Sequence, residues 1–141
     1  MYAANHGNVT DYFQDFSDQE AADAWVTQAL TEINAGEKIE YAVYLDKQFA
    51  GLISLRDLTT STPEIGLWIS PQHQGKGLGV ESVKWLLAWA KIHLPHAEKL
   101  IYDAKAQNTA SNRLAIAGGL SFVKEYVESN VTYRQYIYPL S

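Results

Sequence analysis

The stretch Pro71-Gln72-His73-Gln74-Gly75-Lys76-Gly77-Leu78-Gly79 places the tightest constraint on what this chain can fold into. Glycine recurs at alternate positions 75, 77 and 79. The stretch follows an apolar, strand-like run, Ile65-Gly66-Leu67-Trp68-Ile69, and opens into a helical pattern at Val80. Glycine lets the backbone turn tightly and lets a ligand approach it closely. The first amides of a helix have no partner inside the helix, and the helix dipole leaves partial positive charge there. A strand, a glycine loop and a helix start in that order make an anion site, suited to a phosphate or a diphosphate.

Two familiar phosphate loops fail on the residues. A Walker loop requires Ser or Thr after Gly-Lys; here Gly75-Lys76 is followed by Gly77, and the upstream glycine is missing. A dinucleotide fingerprint requires Gly-x-Gly-x-x-Gly; counted from Gly75, its third glycine position holds Val80.

Around this loop the periodicity alternates between helix and strand. Val9, Tyr12, Phe13 and Phe16 keep helical spacing. Ser17-Asp18-Gln19-Glu20 reads as a capping box for a second helix, with Ala22, Trp25, Val26, Ala29 and Ile33 as its buried stripe and Gly36 as its stop. Residues 40–45 and 49–55 read as a hairpin turning at Asp46-Lys47-Gln48. In the strand 64–70, period two places Glu64, Gly66 and Trp68 on one face and Ile65, Leu67 and Ile69 on the other. Val80, Val83, Leu87, Ala90 and Leu94 mark a helix that Pro95 ends. Residues 100–106 form another strand, and Asn108 caps a short helix that Gly118-Gly119 stops. Strands 122–127 and 131–138 close the chain about a turn at Ser129-Asn130. With no linker or repeat, residues 1–141 read as a single α/β domain.

The loop Gln74-Gly75-Lys76-Gly77-Leu78-Gly79 resembles the Gln/Arg-x-x-Gly-x-Gly/Ala diphosphate loop of the GNAT acetyltransferases. Glu64-Ile65-Gly66-Leu67-Trp68-Ile69-Ser70-Pro71 is similar to the Glu-Ile-Gly-Tyr-Trp strand of the Rim-type branch, whose members acetylate ribosomal proteins. Asn108-Thr109-Ala110-Ser111 resembles that branch's Asn-x-x-Ser helix start. The resemblance implies a mixed, mostly antiparallel sheet flanked by helices, with acetyl-CoA as donor and a primary amine as acceptor. It further implies that the strand before the loop splays from the next strand. The backbone of Trp68, Ile69 and Ser70 would then line the donor's arm, and Gln74, Gly75, Lys76, Gly77, Leu78 and Gly79 would hold its diphosphate. Glu64 becomes the candidate base, Asn108 a contact to the donor's arm, and Ser111 a further contact and the candidate acid for the leaving thiolate; Tyr102, Tyr126 and Tyr133 are alternative acids. Arg113 and Lys76 are cations within reach of phosphate.

Two departures from the family pattern stand out. The usual opening strand is missing ahead of the first helix or lies outside this sequence, so the sheet edge would be either left bare or covered by another chain. The family's Gly-Phe after the last helix reads Gly119-Leu120, with Phe122 two residues on.

Composition narrows the partners. A net charge of −5 disfavours nucleic acid and suits a cationic acceptor. There is no cysteine, so no disulfide, cysteine zinc site or cysteine nucleophile is available. His6, His73, His93 and His96 lack metal spacing and read as surface residues. No apolar run reaches the roughly 18 residues a membrane span needs, and the N-terminus lacks a secretion signal, so the expected location is the cytoplasm. An N-acetyltransferase is the leading reading. A catalytically silent acyl-CoA-binding or sensing domain and a nucleotide-phosphate binder remain beside it.

Overall fold

The computed structural model describes residues 19–140. The expected first helix around Val9–Phe16 and the capping residues Ser17 and Asp18 lie outside the described residues. Helix α1 (Gln19–Asn34) ends where Gly36 takes a left-handed φ of +76° and donates its N–H to the Ile33 carbonyl. Of the expected stripe, Ala29 is buried and Trp25 and Ile33 half-buried, whereas Val26 is exposed.

Strands β1 (Lys38–Leu45) and β2 (Gln48–Arg56) form a hairpin closed by Asp46 and Lys47. Both turn residues have positive φ, +50° and +67°, the twist-matching conformation of a two-residue hairpin turn. β3 (Glu64–Ile69) pairs antiparallel with β2, with Arg56 opposite Glu64 and Leu52 opposite Trp68. A short 3-10 turn (Pro71–His73) leads through the glycine loop into α2 (Leu78–His93). Then follow β4 (Lys99–Lys105), α3 (Thr109–Ala117), β5 (Ser121–Glu128) and β6 (Val131–Pro139). The six strands form one sheet in the order β1-β2-β3-β4-β6-β5. It is antiparallel except where β3 meets β4.

The two faces of β1–β3 differ in chemistry. Ile53, Leu55 and Ile65 point to the side where α2 presents Val83, Leu86, Leu87 and Ala90, and together with Leu100 these build the core. Each fully buried aliphatic side chain there contributes about 1.5–3 kcal/mol. The opposite face carries Lys38, Glu40, Ser54, Arg56 and Glu64 in neighbouring register positions, with Trp68 further along. Glu64 and Trp68 do share a face, as the period of two requires.

Two expectations need adjustment. α2 begins at Leu78, two residues before Val80, because left-handed Gly77 (φ +81°) serves as its N-cap. After α3, Leu120 is buried in the core and Phe122 is exposed, so Leu120 fills the position where the family pattern has Phe.

Candidate active site

A single register pair, Glu64 opposite Ile101, joins β3 to β4. Beyond it the strands part, although each keeps its other neighbour: β2 along β3, and β6 along β4. The parting opens a cleft of about 560 Å³. Trp68 and Ile69 lie on one wall, Tyr102 through Lys105 on the other, and the glycine loop and the start of α3 at its mouth.

The loop is shaped by local bonds and backbone handedness. Gln74 donates its side-chain amide to the Ile69 carbonyl at 2.9 Å, clasping the loop back onto the end of β3. Gly75 (φ +76°) and Gly77 (φ +81°) are left-handed, a conformation that costs other residues roughly 1–2 kcal/mol. A Cβ on either would meet no atom within 4 Å, so the space beside them is open. No side chain caps the start of α2, which leaves its first amides to a ligand. Gly79 lines the cleft too, but a Cβ there would stand 2.8 Å from Leu114 Cδ1; its smallness serves the approach of α3 to α2.

The far side of the mouth is fixed by asparagines. Asn108 caps α3, its Oδ1 accepting the Ser111 N–H at 3.1 Å. Asn112 donates to the carbonyls of Lys105 and Asn108 and accepts the Tyr136 hydroxyl at 2.7 Å, tying α3 to β4 and β6. Asn112 is missing from the sequence-derived site, although an Asn one helical turn after an Asn cap could have flagged it.

Of the expected site residues, Trp68, Ile69, Gln74, Gly75, Gly77, Leu78, Gly79, Asn108 and Ser111 line the cleft, as does exposed Arg113. Ser70 and Lys76 sit outside that lining; Ser70 is buried and Lys76 exposed. Glu64 also lies outside it, bonded at 3.0 Å to Nη2 of Arg56, which does line the cleft. Burial pushes the Glu64 carboxyl above the ordinary carboxylate range, Arg56 opposes that shift, and Asp103 adds to it. Among the tyrosines, Tyr102 is buried against the cleft. Tyr126 stacks on Tyr133; desolvation and the negative charge of Asp103 push its hydroxyl up, making it a poorer acid. His73 is not a surface residue. It is 3 % exposed, lines the cleft, and its Nδ1 lies 2.6 Å from the Ser70 hydroxyl.

Residues 1–121 match the acetyltransferase (GNAT) domain family. The chain belongs to the GNAT acetyltransferases. Solved structures show the same fold at low identity. A probable acetyltransferase aligns with 18 % identity over 98 % of this chain and 83 % of its own, at a TM-score of 0.82. The spermidine N-acetyltransferase of Vibrio cholerae, in complex with CoA and spermine, aligns with 17 % identity over 96 % and 85 %, at 0.80. The Salmonella typhimurium acetyltransferase that modifies the N-terminal serine of ribosomal protein L7/L12 aligns with 17 % identity over 96 % and 87 %, at 0.79. No curated protein sequence matches the chain. The structural neighbours of this GNAT chain also include a RimL ribosomal-protein L7/L12 N-acetyltransferase in complex with coenzyme A, at 17 % identity over 86 % of this chain and 73 % of its own, with a TM-score of 0.75.

Proposed function

We propose that this protein transfers an acetyl group from acetyl-CoA to a primary amine by direct attack of the amine. The reading is carried by one observation: β3 and β4 part into a cleft that ends on an uncapped helix start beside two left-handed glycines. That mouth fits a diphosphate, because it offers free amides and room beside the backbone. Residues 74–79 would hold the diphosphate, and the backbone edges freed by the parting of Trp68 and Ile69 from β4 would hold the arm. When bound, acetyl-CoA supplies a thioester already activated towards amines.

The chain's own residues then have a proton to move. An alkylammonium has a solution pKa near ~10 and attacks only after deprotonation. Glu64 takes that proton, directly or through water, helped by the desolvation that raises its carboxyl above the ordinary carboxylate range. Ser111, at the start of α3 and bonded through its backbone to Asn108, gives its hydroxyl proton to the thiolate as the C–S bond breaks and regains one from the acetylated nitrogen, which sheds its second proton as the amide forms. The acceptor is a protein N-terminus or a small amine; the structural neighbours include enzymes of both kinds.

The Arg56–Glu64 ion pair supports a second reading, a silent acyl-CoA-binding domain, since a carboxylate held by a guanidinium is a weaker base. Thiol release from acetyl-CoA against a panel of amines and N-terminal peptides separates the two. An enzyme releases CoA with at least one amine and loses this activity in Glu64→Gln. A sensor binds CoA and releases none.

A further inference from the structure

We propose that His73 is a donor-binding residue of this cleft, held by Ser70 so that its second ring nitrogen donates a hydrogen bond to a diphosphate oxygen of the acyl-CoA. The proposal rests on the acyl-CoA reading above and adds a side-chain contact to a loop otherwise built from backbone. Ser70 is locked at the end of β3 by its N–H bond to the Ala50 carbonyl at 2.7 Å. His73 returns its own N–H to the Ser70 carbonyl at 2.9 Å, closing the 3-10 turn. The two side chains meet inside that turn, Oγ to Nδ1 at 2.6 Å, each residue 3 % exposed.

A buried imidazole needs partners for both nitrogens. Nδ1 has Ser70. Nε2 has no hydrogen-bond partner among the described residues. It is not sealed either: among the described residues the sealed side-chain atoms lacking a partner belong to Glu40 and Arg56. His73 lines the cleft, as do Ile69 and the left-handed Gly75 and Gly77. In the proposed tautomer the Ser70 hydroxyl donates to Nδ1 and Nε2 carries the ring N–H. A single N–H beside a positive helix start calls for an anionic oxygen.

Two substitutions divide the ring's two jobs. The amide of His73→Asn reaches the Nδ1 position and keeps the Ser70 contact, while that of His73→Gln reaches the Nε2 position. Calorimetry with CoA is the primary readout, after thermal melts confirm that both variants fold. We expect His73→Asn to weaken the Kd for CoA by about tenfold, the size of one hydrogen bond to a charged group, and His73→Gln to stay within about threefold. In turnover, His73→Asn raises the KM for acetyl-CoA and leaves kcat/KM for S-acetylpantetheine, which has no diphosphate, unchanged. Equal CoA affinity in both variants and wild type, a greater loss in His73→Gln, or a matching loss with S-acetylpantetheine overturns the proposal. Tight CoA binding with the expected ranking but no turnover removes the acetyltransferase reading and leaves the His73 contact standing.

Discussion

Glu40 shows how a single side chain couples the polar sheet face to pH. It lies beside Lys38 at 3.6 Å, beyond hydrogen-bond reach, and its carboxylate oxygens are sealed without a hydrogen bond. Desolvation dominates its environment and lifts its pKa from 4.5 to about 7, against the opposing effects of Lys38, Ser54 and Arg56. The raised value means that the folded state holds this proton more tightly than the unfolded chain does. The associated stability is complete below about 4.5 and is lost as pH rises through about 7. Urea melts should therefore weaken between about pH 5 and 8, by up to the order of 3 kcal/mol for this group. Glu40→Gln should flatten that dependence; an unchanged slope would assign it elsewhere. Glu64 makes the corresponding case for activity. Glu64→Gln should lower kcat by about 10²–10⁴-fold with KM for acetyl-CoA little changed. Because burial raises its carboxyl and Arg56 restrains it, Arg56→Met should move the acid limb of the pH–rate profile to higher pH. A limb that stays in place would remove Glu64 from the proton path.

Helices and strands meet here through small residues whose reasons differ. Gly77 is open to the cleft and left-handed, so its role is conformation and access. Gly118 is buried, and a Cβ there would stand 2.8 Å from Val83 Cγ1 and 3.2 Å from the Leu114 carbonyl. Valine is stiff at χ1 and cannot swing aside. Gly118→Ala should cost about 1–3 kcal/mol, read as a lower urea midpoint at unchanged m-value. Gly77→Glu should act on the ligand instead. CoA at a hundred times its Kd should stabilise the wild type by about 2.7 kcal/mol, seen as a raised melting temperature. The variant should lose that rise if residues 74–79 hold the diphosphate as proposed, because a carboxylate would then stand in its place; a rise of wild-type size would overturn that placement.

The molecule as a whole sets these elements in an order that local signals carry only in part. Helix stops at Gly36 and Gly118, the Asn108 cap and the alternation of β3 were legible because each depends on residues within a turn or a few strand positions. The glycine loop was legible for the same reason: handedness and free amides belong to the backbone itself. Pairings between distant residues were not legible. Arg56 meets Glu64 because β2 and β3 pair in that register, and Asn112 meets Tyr136 because β6, though last in sequence, inserts between β4 and β5. His73 reads as a surface residue in sequence and is buried because the turn folds it onto Ser70. Sequence alone therefore determined the strand–glycine loop–helix order, the element types and the family resemblance, all products of short-range backbone chemistry. Tertiary structure alone decided which carboxylate is restrained by a cation, which histidine faces the cleft and which side chains are sealed, because solvation and charge at a residue depend on neighbours that the fold, not the chain order, brings to it.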